Sequence, residues 1–142
     1  VAGLLDAPLI RPPMAALADL DWAGAGLRVA QPECADDGPA MVAYAVAGVA
    51  ETGSVLVASG GVRPMADNFL AAVHVVALAR DRIVKTLEEA WAMLPAPLPR
   101  AVSLITGPSR TGDIEQTLIP GAHGPKRLIV ALIDPPAAAA SR

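Results

Sequence analysis

Three stretches of this chain carry side chains whose types and spacing suit chemistry. The richest is Ile105-Thr106-Gly107-Pro108-Ser109-Arg110-Thr111-Gly112-Asp113-Ile114-Glu115. A glycine-flanked loop that leaves a strand and enters a helix aims backbone N–H groups at one point, and the Ser109 and Thr111 hydroxyls and the Arg110 guanidinium stand beside it. That set suits an anion, with Asp113 capping the helix that follows. The spacing fits neither the P-loop nor the G-x-G-x-x-G pattern, so nucleotide readings fail. The same residues also suit a purely structural task, in which Ser109, Thr111 and Asp113 satisfy orphan N–H groups and Arg110 pairs with a carboxylate. Both readings stay open.

Glu51 follows an apolar run and precedes Thr52 and Gly53. A carboxylate held at the lip of a sheet and partly desolvated can serve as a base or a nucleophile. An acidic turn residue facing water is the plainer alternative. His123, in Gly121-Ala122-His123-Gly124-Pro125, sits in a turn that could bring an imidazole to the same mouth, as proton donor or hydrogen-bond partner, or leave it solvated. His74 opens an apolar run and reads as a satisfied strand-end histidine. With only two histidines and one cysteine, a metal centre built by this chain has weak support. Cys34 lies among Glu33, Asp36 and Asp37, which disfavour its thiolate and the nucleophile reading with it.

The elements that would hold these groups can be read from apolar runs and their punctuation. Residues 27–30, 41–49 and 55–57 read as β segments, the last two meeting at the acidic corner that carries Glu51. Residues 66–71 suggest a helical turn and 73–79 a strand buried on both faces. Residues 81–94 repeat apolar side chains at helical spacing, which predicts a helix with Ile83, Leu87 and Trp91 inward and Asp81 and Lys85 paired outside. Residues 101–106 and 127–134 read as further strands, 113–116 as a short helix, 14–22 as another, and 135–142 as a tail. The succession 73–79, 81–94, 101–106 predicts one right-handed βαβ unit, hence an α/β class with a mostly parallel, three-layer arrangement.

Composition bounds the rest. The 142 residues make one domain, spanning residues 1–142, and 54% hydrophobic residues are enough for a substantial core. Twelve glycines and fourteen prolines imply many short elements. A net charge of −3, scattered cations and 3% aromatics leave neither a basic footprint nor stacking platforms for nucleic acid. No uncharged run approaches the roughly 20 residues that span a bilayer. A single cysteine permits no internal disulfide and no cysteine-ligated cluster within this chain. The opening residues lack a signal-peptide layout, which reads as a cytoplasmic protein whose start lies outside this sequence.

Ala50-Glu51-Thr52-Gly53-Ser54, then His74-Val75-Val76 with Arg82-Ile83-Val84, then residues 107–115, then Gly121-Ala122-His123-Gly124-Pro125 resemble, in order and spacing, the LUD domain of the lactate utilization protein C family (LutC). The likeness covers residues 43–134; Gly112 stands where the family usually has Ala, Ala122 where it usually has Val, and the N-terminal part is short. The resemblance implies a NagB/RpiA/CoA-transferase-like fold. It also implies an accessory or substrate-handling role in oxidation of L-lactate to pyruvate, beside iron–sulfur partner proteins that carry the clusters, with no cofactor bound by this chain. The expected pocket has Glu51 and His123 as catalytic residues. Thr52 and Gly53 would line it with Gly107, Ser109, Arg110, Thr111 and Asp113, around a small carboxylate or phosphate-bearing ligand. Glu51-Thr52-Gly53 is also similar to the carboxylate corner of class I CoA-transferases, which leaves a stand-alone enzyme of CoA-transferase or sugar-phosphate isomerase type, or a non-catalytic anion-binding module, as the alternatives.

Overall fold

The computed structural model describes residues 9–10, 24, 29–30, 40–60, 65–108, 110–112, 118–120 and 124–134. In chain order the elements are β1 (Leu9–Ile10), β2 (Val29–Ala30), β3 (Ala40–Tyr44), β4 (Ala47–Val49), β5 (Ser54–Ala58), α1 (Asp67–Leu70), β6 (Val73–Ala79), β7 (Ile83–Val84), α2 (Leu87–Ala92), β8 (Val102–Ile105), β9 (Arg110–Gly112), β10 (Leu118–Pro120) and β11 (Arg127–Ile133), with a 3₁₀ turn at Arg80–Arg82 between β6 and β7. Cys34, the segment 14–22, the segment 113–117 and the tail 135–142 lie outside the described residues.

A five-stranded sheet in the order β11-β6-β3-β1-β2 pairs parallel throughout. Its central strands, β3 and β6, are the two-sided apolar runs expected of a buried parallel sheet. The order reverses between β1 and β3, the position at which ligands of open α/β sheets gather beyond the carboxyl ends of the strands. From that end of β3 the chain passes directly into β4. A second sheet, β7-β4-β5-β8, lies there, with β5 antiparallel to both its neighbours.

The two sheets share one core. Ala43, Ala45, Val76 and Leu78 of the first layer pack on Val55, Val57 and Ile105 of the second. The opposite face of the second sheet sends Ala47, Val49 and Leu56 against Ala90 of α2. Gly48 lets β4 approach this core closely, because a Cβ there would stand 2.6 Å from Leu78 Cδ2. Gly48→Ala should therefore destabilise by about 1–3 kcal/mol through overpacking. Urea unfolding checks this, and Leu78→Ala in the same chain should recover at least about 0.5 kcal/mol of the loss as coupling between touching sites. Strictly additive losses would refute the contact.

Several expectations need correction. Residues 81–94 are not one helix: Ile83 and Val84 are taken by the sheet beside β4, and α2 begins only at Leu87. A capping box fixes that start, Thr86 Oγ1 accepting from Glu89 N–H while Glu89 Oε2 accepts from Thr86 N–H. Ile83, Leu87 and Trp91 are consequently exposed, not core. Asp81 and Lys85 flank β7 and share no helix face. The βαβ unit is absent, since β6 belongs to the parallel sheet while β8 pairs antiparallel with β5. Among the described strands β8 lies at the edge of its sheet with Leu104 exposed, not buried on both faces. His74 is buried as expected but unsatisfied, because neither ring nitrogen has a hydrogen-bond partner among the described residues.

Candidate functional site

The register of β5 against β8 builds the site. Val55 faces Ile105, so the residues just outside the ladder, Ser54 and Thr106, stand opposite one another. Their hydroxyls are 2.9 Å apart, and Ser54 Oγ is in turn 2.7 Å from Thr52 Oγ1. At the far end of the pair, the Ala101 N–H donates to Ser59 Oγ and the Ser59 N–H to the Ala101 carbonyl, which pins the register. The result is a chain of three hydroxyls running from the buried Ser54 to the exposed Thr52 and Thr106. A chain of three O–H groups keeps donor and acceptor capacity at its ends for an outside partner.

Two glycines open this lip. Gly53 has φ +67° and Gly107 φ +153°, conformations that side chains seldom adopt, and a Cβ at either would meet nothing within 4 Å. The backbone is therefore bare where a ligand would approach the hydroxyls.

Glu51 stands at the same corner and is exposed, so the expectation of a partly desolvated carboxylate fails. Its backbone N–H donates to the Lys85 carbonyl, and its Oε1 accepts from the Leu87 N–H at 3.2 Å. Leu87 is the first residue of α2, whose unpaired N–H groups and positive dipole end favour a carboxylate. The chain's own side chain thus occupies the helix start, and Oε1 is committed there.

Of the sequence-derived residues, the structure gathers Glu51, Thr52, Gly53 and Gly107 at one lip. Arg110 and Thr111 lie in β9, paired antiparallel with β10, instead of in a loop. The ladder of a hairpin claims that segment because Leu118, Ile119 and Pro120 return alongside it. Ser109, Asp113 and His123 lie outside the described residues. The residues after His123 enter β11 at the amino end of the sheet, where the Lys126 and Arg127 N–H groups both donate to the Ala72 carbonyl. The β5–β8 register brings the turns at residues 52–54 and 106–107 together, and the third turn expected at this rim, the one with His123, lies outside the described residues. Ser54 and Thr106 were missed as site residues; the signal available was a hydroxyl beside a glycine at one end of each of two strands, Gly53-Ser54 and Thr106-Gly107.

A family model for the LUD domain matches residues 32–133. The chain belongs to the LUD domain family. This LUD domain is 32% identical over 85 residues to lactate utilization protein C of Geobacillus sp. (strain WCH70), covering 56% of this chain and 35% of that protein. It is 30% identical over 92 residues to lactate utilization protein C of Bacillus pumilus, covering 61% of this chain and 38% of that one. The match thus spans less than half the length of these curated relatives. The crystal structure of a DUF162 family protein from Deinococcus radiodurans superposes on this LUD domain with a TM-score of 0.56 at 19% identity, over 87% of this chain and 72% of that one. That likeness establishes the fold, an α/β arrangement on a mostly parallel sheet. Among the described residues of the LUD domain no helix is long and apolar enough to cross a membrane.

Proposed function

We propose that this LUD domain is the substrate-handling part of a cytoplasmic system that oxidises L-lactate to pyruvate, holding a small carboxylate at the lip of residues 51–54 and 106–107 while iron–sulfur partner proteins carry the electrons. The observation that carries the reading is the hydroxyl chain Thr52–Ser54–Thr106 beside two bare glycines. Family membership and the lactate utilization protein C relatives support the substrate class. A carboxylate accepts hydrogen bonds from the terminal hydroxyls and from backbone N–H at the glycines. Arg110, three positions beyond Gly107, supplies a guanidinium for bidentate pairing. Glu51 is anchored through Oε1, and its other oxygen would serve as the acceptor for the 2-hydroxyl. The bond from the Leu87 N–H fixes the orientation of the Glu51 carboxylate, which suits a binding role.

Titration of L-lactate and of pyruvate into isotope-labelled protein, followed by amide NMR shifts, tests the reading. Shifts should concentrate at Thr52, Gly53, Ser54, Thr106 and Gly107, and Ser54→Ala and Arg110→Ala should each weaken binding by about tenfold, the equivalent of losing one charge-assisted or buried hydrogen bond. Shifts confined to other parts of the chain, or none with either acid, would remove it. Affinity capture from lactate-grown cells should bring down iron–sulfur proteins irrespective of the Arg110 variant, which separates the partner claim from the ligand claim.

A further inference from the structure

β11 is an edge of the parallel sheet: β6 pairs with it on one side, and no other described strand lies on the other. Sheet edges are ordinarily guarded by lysine, proline, a bulge or short length. β11 has none of these guards between Leu128 and Ile133 and stays in unbroken register with β6 over seven residues. Leu128 reaches the core between the sheets, but Val130 and Leu132 on the same face are 40% and 47% exposed.

The strand is complementary to itself. A two-fold axis normal to the sheet keeps each side chain on its own face, so two antiparallel copies can align only residues of the same parity. Centred on Val130, the pairing sets Val130 against Val130, Leu128 against Leu132 and Ile129 against Ala131. At both ends it sets Lys126 of one copy against Asp134 of the other. Moving the centre by one residue either way places Lys126 opposite Leu132 or beyond the strand, and the charges no longer meet. Lys126 is exposed, and Asp134 is 91% exposed although its Oδ1 already takes the Arg80 Nε at 3.3 Å, so it has room for a second cation. We infer that two copies of this chain associate through β11, antiparallel about Val130, so that the two parallel sheets become one continuous sheet closed by a Lys126–Asp134 pair at each end.

Sedimentation equilibrium on the full chain and its charge variants tests this. Lys126→Glu sets two carboxylates together at each end and Asp134→Lys sets two ammonium groups there, so each alone should raise the dimer dissociation constant about tenfold or more. The double variant Lys126→Glu/Asp134→Lys restores opposite charges and should return the constant to within about threefold of the wild type. Val130→Lys, at an exposed position, should dissociate the dimer while circular dichroism stays unchanged. A wild type that is monomeric at concentrations on the order of 100 μM overturns the inference. So does a dimer indifferent to all four variants, which would use another face. Amide-exchange protection along the outer edge of β11 that does not vary with protein concentration also overturns it, because the chain would then be covering its own edge.

Discussion

The folding stability of this protein should fall by about 2–3 kcal/mol as the pH is lowered from 7.5 to 4.5 on account of His74 alone. The imidazole is fully buried in β6, flanked in register by Met41 and Leu128, and burial lowers its pKa from 6.5 to about 4. The unfolded chain takes up that proton near pH 6.5, whereas the folded chain resists until about pH 4. Between those values the unfolded state binds more protons, so stability is complete above about 6.5 and drains away as the pH falls toward 4. His74→Leu keeps roughly the volume and removes both the titration and two unpartnered nitrogens, so its loss of stability over the same range should be smaller by that 2–3 kcal/mol. Urea unfolding of both proteins at pH 7.5 and 4.5 makes the comparison, and because the carboxylates titrate alike in both, the difference isolates His74. Parallel pH dependences would show that the ring finds a partner in the folded chain.

That histidine also illustrates how far the sequence could be read. A ring beginning an apolar run signals burial, and burial is what the structure gives; whether its nitrogens find partners depends on what crosses the strand, here Met41 and Leu128, which no local pattern specifies. Strands β5, β6 and β11 were legible for the same reason, as apolar runs of strand length broken in β6 only by His74, whereas residues 41–49, which read as one β segment, divide into β3 and β4 of different sheets. Their assignment to sheets was not. β6 and β8 look equivalent in sequence, yet β6 is sandwiched between two parallel neighbours and β8 is an antiparallel edge, a distinction set by contacts far apart in the chain.

The misplaced start of α2 is of another kind. Thr86-x-x-Glu89 is a capping-box signature that marks this start, and the helical spacing of Ile83, Leu87 and Trp91 conceals it. The β-branched pair Ile83-Val84 gains more from joining β4 than from extending a helix over exposed ground. At the site, the Glu51 corner was legible as a turn with a carboxylate. Its union with Thr106 was not, because only the β5–β8 register brings Ser54 and Thr106 within 2.9 Å.

Leu56→Ala should cost about 3 kcal/mol and should loosen the site as well as the core. Leu56 is 1% exposed and carries the cluster that seats α2, with Ala47, Val49 and Ala90 around it and Val84, Met93 and Leu94 at its margin. Buried Leu→Ala changes span about 2–5 kcal/mol according to how far the surroundings close on the cavity. Here one wall is a helix of six residues, too short to hold itself, so partial collapse brings the cost toward the middle of that range. The same motion displaces the start of α2, and with it the Leu87 N–H that holds Glu51. Amide exchange should therefore accelerate more at residues 87–90 than in β6, whose core contacts lie on the other face of the second sheet. Leu104→Ala, at a 42% exposed position of the neighbouring strand, should cost less than about 1 kcal/mol and leave α2 undisturbed. Equal losses from the two substitutions, or exchange raised uniformly across both sheets, would mean that Leu56 supports the fold as a whole and that Glu51 is positioned by something other than the seating of α2.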